Sequence, residues 1–259
     1  MTLRALIFDV DGTLAETEEV HRQAFNETFA ARGLPWHWSV EKYKRLLDVT
    51  GGKERLRHFI ESDRPPAGDA ALPEIAALHV EKTARYTALI DRGAATPRPG
   101  VIRLIREARA DGLKVAIATT TSLPNVEALL RAMFGAEGMS LFDAIGAGDV
   151  VPAKKPAPDI FEWTLRRLAL EPAQAVALED SQNGIRSARG AGLTVVTTPS
   201  LYSEGQDFAG SLAVISDFGE PGLPYAHLAG AGESDNLVTV PALRRWLAEA
   251  SLPGTGNAD

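Results

Sequence analysis

Cysteine is absent from all 259 residues, which rules out disulfide staples and thiol catalysis together. Long apolar runs are missing too: no stretch approaches the roughly 18 residues that a membrane-spanning helix needs. Positive charge is in deficit, with 27 Lys and Arg against 34 Asp and Glu, and a net charge of −7 argues against nucleic acid or an anionic membrane as partner. An anionic small molecule would have to be met by cations gathered at one place. There is no internal repeat and no low-complexity tract; only Gly205 to Gly232 is rich in glycine, and Ser251 to Asp259 reads as a frayed tail. The first apolar strand starts so close behind Met1 that no room is left for a signal peptide, and a cytoplasmic location is expected. What remains, 45% hydrophobic and 24% charged residues, is an ordinary globular composition, long enough for a large core or two domains.

The informative segment is Leu6 to Leu14, Leu-Ile-Phe-Asp-Val-Asp-Gly-Thr-Leu, where an apolar strand delivers two carboxylates into a glycine turn. Side chains alternate along a strand, so Asp9 and Asp11 start on one side at its C-terminal end, where ligands sit on open α/β sheets. Three more polar clusters follow, each next to an apolar segment. Leu113 to Ala118 runs into Thr119, Thr120, Thr121 and Ser122; Lys154 and Lys155 stand before Pro156 and Pro158; Ala175 to Leu178 ends in Glu179 and Asp180. Singly, these fit an N-cap, a solvated lysine pair and surface acids. Their order and their strand-end positions are what the bland readings leave unexplained.

The run Asp9, Asp11, Gly12 and Thr13 resembles the first motif of the haloacid dehalogenase superfamily of phosphohydrolases, and the later clusters resemble its remaining motifs in the family's order. The resemblance implies that Asp9 is the nucleophile forming an aspartyl phosphate and that Asp11 is the general acid and base. It makes Thr119 the hydroxyl that holds the transferring phosphoryl group, and Lys155 the cation that neutralises it. Two bare carboxylates would repel a phosphate monoester, so a divalent cation is expected between them, and hard oxygen ligands point to Mg2+. Asp180 is expected to bind it directly, with Asp9 and the backbone carbonyl of Asp11. Two adjacent acids at a strand end should face opposite ways, leaving Glu179 to act through water or an outer contact.

Alternating strands and amphipathic helices predict a doubly wound parallel sheet of the haloacid dehalogenase type, an α/β fold. Residues 16–96 lack strand character and read as an inserted small helical cap, which leaves 1–15 and 97–259 as the core. A hinged cap excludes water during chemistry and selects the substrate. Its candidates for substrate contact are Glu18, His21, Tyr43, the turn Gly51-Gly52-Lys53, and Lys82; Thr120, Thr121 and Ser122 are their candidate counterparts on the core. If Lys53 and Lys82 both face the cleft, they make a second anion site, and a substrate with two phosphates would bridge it to the cation.

Three runs narrow the resemblance: Thr119 to Ser122 with Asn125-Val126, Ala147-Gly148-Asp149 ahead of Lys154-Lys155-Pro156, and Ser200 to Gly210. These look like CbbY-type proteins, sugar bisphosphate phosphatases of Calvin-cycle organisms associated with removing xylulose-1,5-bisphosphate, which inhibits Rubisco. A phosphoric monoester hydrolase acting as a monomer on a small sugar phosphate is therefore expected. The alternative in the same fold is a β-phosphoglucomutase, similar at Thr17, Glu18 and His21 and along Lys-Pro-Ala-Pro-Asp-Ile-Phe. That family carries an arginine where this chain has Gly51, Gly52 and Lys53. The alternative of another class, a catalytically silent sugar-phosphate-binding regulatory module, has no need of Asp9, Asp11, Lys155 and Asp180 together.

Overall fold

The structure is a computed structural model that describes residues 2–251; the expected tail beyond Ser251 lies outside them. After β1 (Ala5–Phe8) come five helices in succession, α1 (Glu18–Ala31), α2 (Val40–Leu46), α3 (Gly52–Asp63), α4 (Gly68–Ala71) and α5 (Ile75–Asp91). The chain then alternates through α6 (Val101–Ala110), β2 (Lys114–Ala118), α7 (Leu123–Phe134), β3 (Ala144–Gly146), α8 (Asp159–Leu168), β4 (Ala175–Glu179), α9 (Gln182–Gly190) and β5 (Thr194–Thr197). It closes with β6 (Ala213–Ile215), β7 (His227–Gly230) and α10 (Val240–Ala250). The strands form one sheet in the order β3-β2-β1-β4-β5-β6-β7, parallel except for β7, which runs against β6.

Parallel strands are covered on both faces and so are apolar on both. Leu6 and Phe8 point into one core layer with Val115, Ile117, Val176, Leu178 and Val196, under α6, α7 and α10. Ala5 and Ile7 point the other way, with Ala116, Ala118, Ala175 and Ala177, under α8 and α9. At helical spacing, Val101-Leu104-Ile105-Ala108, Val126-Leu130-Phe134 and Ile160-Phe161-Leu165-Leu168 form stripes that are all buried. Neither β3 nor β7 is foreseen by the sequence pattern. Three residues are too few to establish a period of two, and β7 is an exposed edge whose side chains do not alternate.

The helices α1 to α5 carry a core of their own. Trp38 sits at its centre, fully buried, 4.7 Å from Phe25, 5.0 Å from Phe29 and 5.3 Å from Phe59 between ring centroids. Edge-on and tilted aromatic contacts of this kind add about 0.5 to 1.5 kcal/mol each beyond the area they bury. The chain leaves and re-enters the sheet unit at adjacent points: Ala15 bridges Pro97, and the Arg98 amide donates to the Leu14 carbonyl. A helical lobe joined by two neighbouring strands of chain lies over the C-terminal edge of β1, β2 and β4.

Candidate active site

The sheet order itself assembles the site. β1 lies between β2 and β4, so Asp9, Thr119 and Asp180, each just past its strand, end side by side. Strand β1 stops at Phe8, one residue short of the nucleophile candidate, although the Asp9 amide still donates to the Leu178 carbonyl. Asp11 therefore stands in the turn rather than on the strand, and Gly12, at φ 84°, makes that turn. A Cβ on Gly12 would come within 2.3 Å of an Asp180 oxygen, so only glycine lets the two loops meet.

Lys155, from the segment between β3 and α8, is buried and donates to Asp9 Oδ1 and Glu179 Oε1, each at 2.6 Å. Burial alone would push its ammonium down, but the Asp9 and Glu179 carboxylates outweigh that and hold its pKa above the usual value. Carboxylate oxygens of Asp9, Glu179 and Asp180 lie within 4.8 Å of one another. Contrary to the alternation expected for adjacent acids, Glu179 and Asp180 converge, because the strand ends at Glu179 and the chain turns before Asp180. Burial raises Asp180 to about 7, with Asp9 repelling it, and raises Asp9 and Glu179 as well, against the pull of Lys155. Of the three buried acids only Asp9 and Glu179 pair with the ammonium, which leaves a deficit of positive charge that a divalent cation would supply, and the three sets of oxygens suit a hard one. The Asp11 carboxylate is not in that group.

Asp11 is wired to the helical lobe instead. Its Oδ1 accepts from Thr17 Oγ1 at 2.5 Å and from His21 Nε2 at 2.9 Å, and the far ring nitrogen of His21 meets the Lys82 ammonium. With Lys82 charged, Nδ1 must accept, so the proton of His21 sits on Nε2. The imidazole stacks on Tyr86 with centroids 4.0 Å apart, and the ammonium lies over the Phe25 and Tyr86 rings. Burial lowers Lys82 to about 7, while Asp11 pulls it back up. Burial works against the Asp11 carboxylate, yet His21, Thr17 and Lys82 hold it well below the usual range.

Between the lobes is a cavity of about 370 Å³ whose walls include Asp9, Asp11, Glu18, Thr119, Thr120, Lys155 and Asp180. A smaller side pocket of about 40 Å³ opens beside it, lined by Gly51, Gly52, His21, Lys82, Thr121 and Ser122. Two expected contacts fall elsewhere. The Tyr43 ring is fully buried in the lobe, and its hydroxyl donates to Glu18 Oε2 at 2.8 Å, which orients Glu18 rather than a ligand. Lys53 lies at the rim, 2.6 Å from Asp149 Oδ2, and lines neither cavity. Successive helical residues turn by about 100°, so Lys53 and Arg55 face opposite ways and only one can enter the cleft.

Arg55 is the one that does. It is buried, lines both cavities and donates to the Tyr43 hydroxyl and the Leu46 carbonyl. No motif singles it out in the sequence, yet a signal is present there: Arg55 shares the apolar stripe of Leu56, Phe59 and Ile60 at helical spacing, a cation where a hydrophobe is expected. Arg186 and Asn183, which also line the larger cavity, carry no comparable signal.

The chain matches the haloacid dehalogenase-like hydrolase model over residues 3–192. The protein CbbY of Cereibacter sphaeroides is 52% identical over 220 residues, which are 85% of this chain and 94% of that protein. A mutant CbbY from Rhodobacter sphaeroides, in complex with xylulose-1,5-bisphosphate, superposes with a TM-score of 0.79 at 49% identity, covering 83% of this chain and 95% of that one. A β-phosphoglucomutase from Clostridium difficile superposes with a TM-score of 0.74 at 17% identity and shares the fold alone. By this similarity in sequence and fold the chain belongs to the haloacid dehalogenase-like hydrolase family, in its CbbY-type branch.

Proposed function

We propose that this protein is a Mg2+-dependent sugar bisphosphate phosphatase acting through an aspartyl phosphate on Asp9, with xylulose-1,5-bisphosphate as substrate and its 1-phosphate as the group removed. The observation that carries this reading is the cavity of about 370 Å³, which has Asp9, Lys155 and Asp180 in one wall and the buried Arg55 in another. The complex of the Rhodobacter sphaeroides CbbY mutant with xylulose-1,5-bisphosphate supports the choice of substrate.

Asp9, Asp180 and the Asp11 carbonyl would hold Mg2+, which when bound offsets the charge of the carboxylates and of the phosphoryl oxygens. Lys155 neutralises Asp9 on approach, and Thr119 with neighbouring amides holds the transferring group. One Asp9 oxygen bonds to phosphorus as the sugar oxygen leaves and takes a proton from Asp11. Asp11 then removes a proton from the water that attacks the aspartyl phosphate, and Asp9 is released. Asp11 rests ionised, so the proton it gives to the sugar oxygen enters from His21 Nε2 as Lys82 delivers its own to Nδ1, and the proton it later takes from water returns along the same contacts. Glu18, oriented by Tyr43, is placed for a sugar hydroxyl. Arg55 and Lys82, with the amide-bearing start of α3 at Gly51 and Gly52, would receive the phosphate that is not cleaved.

The test is a panel of ketopentose and aldohexose mono- and bisphosphates, with free phosphate and isomerised sugar phosphate both quantified. Mg2+-dependent phosphate release that favours a ketopentose 1,5-bisphosphate is the expected outcome. Isomerised product with little free phosphate would replace the reading with a mutase.

A further inference from the structure

The run from Ser200 to Gly210 helps to mark the branch but has no part in the chemistry above. Its first residues join two places that must work together. Ser200, buried just beyond β5, donates from Oγ to Asp180 Oδ2 at 2.6 Å, a hydroxyl bond to a carboxylate and hence one of the stronger kind. Its own amide donates to Ser203 Oγ at 2.8 Å, which fixes the turn. Two residues further on, Tyr202 leaves the sheet unit and enters the aromatic cluster of the helical lobe. Its ring lies edge-on to Tyr43 at 5.7 Å, and its hydroxyl donates to Glu19. Lys44 on α2 donates to the Glu204 carbonyl at 3.0 Å.

The base of this turn is held by Arg98, on the return linker of the lobe. Its buried guanidinium donates to the carbonyls of Gly12, Thr198, Pro199 and Ser216. The turn is therefore pinned to the nucleophile loop at one end and docked in the lobe at the other, with Ser200 between them.

We propose that Ser200 is a positioning residue for Asp180, and that Tyr202, seated in the helical lobe, makes that positioning depend on the lobe being closed over the sheet. The proposal rests on the reading of Asp180 as a Mg2+ ligand. A carboxylate whose outer oxygen is held by a hydroxyl is oriented before the cation arrives, and loss of such a partner costs metal affinity about ten- to a hundredfold in known sites. When the lobe swings away, Tyr202 loses Tyr43 and Glu19, and the turn carrying Ser200 is free to shift.

The test is Mg2+ binding by calorimetry to the full chain, wild type against Ser200→Ala, Tyr202→Ala and the double variant, with a thermal melt of each protein free of metal. Ser200→Ala should weaken Mg2+ about tenfold while its melting curve stays close to wild type. Tyr202→Ala should weaken it by a smaller factor, and the double variant should be no weaker than Ser200→Ala, since without the hydroxyl the turn has nothing to transmit. Wild-type affinity in Ser200→Ala would overturn the positioning role, and losses that multiply in the double variant would overturn the coupling. If Tyr202→Ala does not fold, Tyr202→Phe, which keeps the ring and loses only the Glu19 bond, takes its place with the same expected direction. A wild type that binds no Mg2+ would overturn the metal reading itself.

Discussion

Lys82 is the residue at which stability and activity should separate most clearly. Its ammonium is buried in the helical lobe and its pKa falls from 10.5 to about 7, burial outweighing the attraction of Asp11. The unfolded chain keeps that proton up to the ordinary lysine value, whereas the folded chain releases it near 7. Between those values the unfolded state binds more protons, so stability must rise with pH across that window. At pH 7 the perturbed group costs about 4 kcal/mol relative to an ordinary lysine. The cation–π contacts with Phe25 and Tyr86 return about 2 kcal/mol at most. His21 Nδ1, left buried without its donor, costs about 1 to 3 kcal/mol more, so Lys82→Met should leave stability at pH 7 close to wild type. From pH 7 to 9 the linkage predicts a wild-type gain of about 2 kcal/mol that the variant lacks. Urea unfolding of both proteins at the two pH values measures this directly. The same variant should lose turnover by about a hundredfold if Lys82 resupplies Asp11 through His21. A variant that keeps the wild-type pH slope would refute the claim that a costly buried ammonium is kept for function.

Asp11→Asn should cut turnover by about a hundred- to ten-thousandfold while calorimetric Mg2+ affinity stays within about twofold, since only its backbone carbonyl is assigned to the metal; a large loss of affinity would reassign the side chain. Lys53→Ala should leave KM for a ketopentose bisphosphate unchanged, because its ammonium is engaged with Asp149 at the rim, whereas Arg55→Ala should raise it by about tenfold or more and leave KM for a small aryl phosphate nearly unaltered. Gly184→Ala should abolish activity in a folded protein, because its Cβ would come within 1.9 Å of a Glu179 oxygen and drive that carboxylate off Lys155; turnover near wild type would show that Glu179 has room to move.

Several features were legible in the residues alone because they are local. Apolar segments ending in Asp9, Thr119 and Asp180 declare strand ends, since a buried parallel strand must be apolar and its polar terminus must lie at the edge. The helical stripes over Val101 to Phe134 and Ile160 to Leu168 depend only on the helical period. A long segment without strand pattern marks the inserted helices. The contacts made across the cleft were not legible in this way. Nothing near Ser200 in the sequence announces Asp180, and nothing near Tyr202 announces Tyr43; both pairs are made by folding the turn beyond β5 between two lobes. Lys53 and Arg55 are two residues apart and chemically alike, so composition cannot choose between them. Only the seating of α3 decides that Arg55 faces the cavity and that Lys53 pairs with Asp149. The sequence by itself determined which chemical groups this protein owns and which strand ends carry them. Tertiary structure decided which of those groups meet, because a helix shows one face to its neighbour and a side chain reaches only what the rest of the chain has brought within a few ångströms.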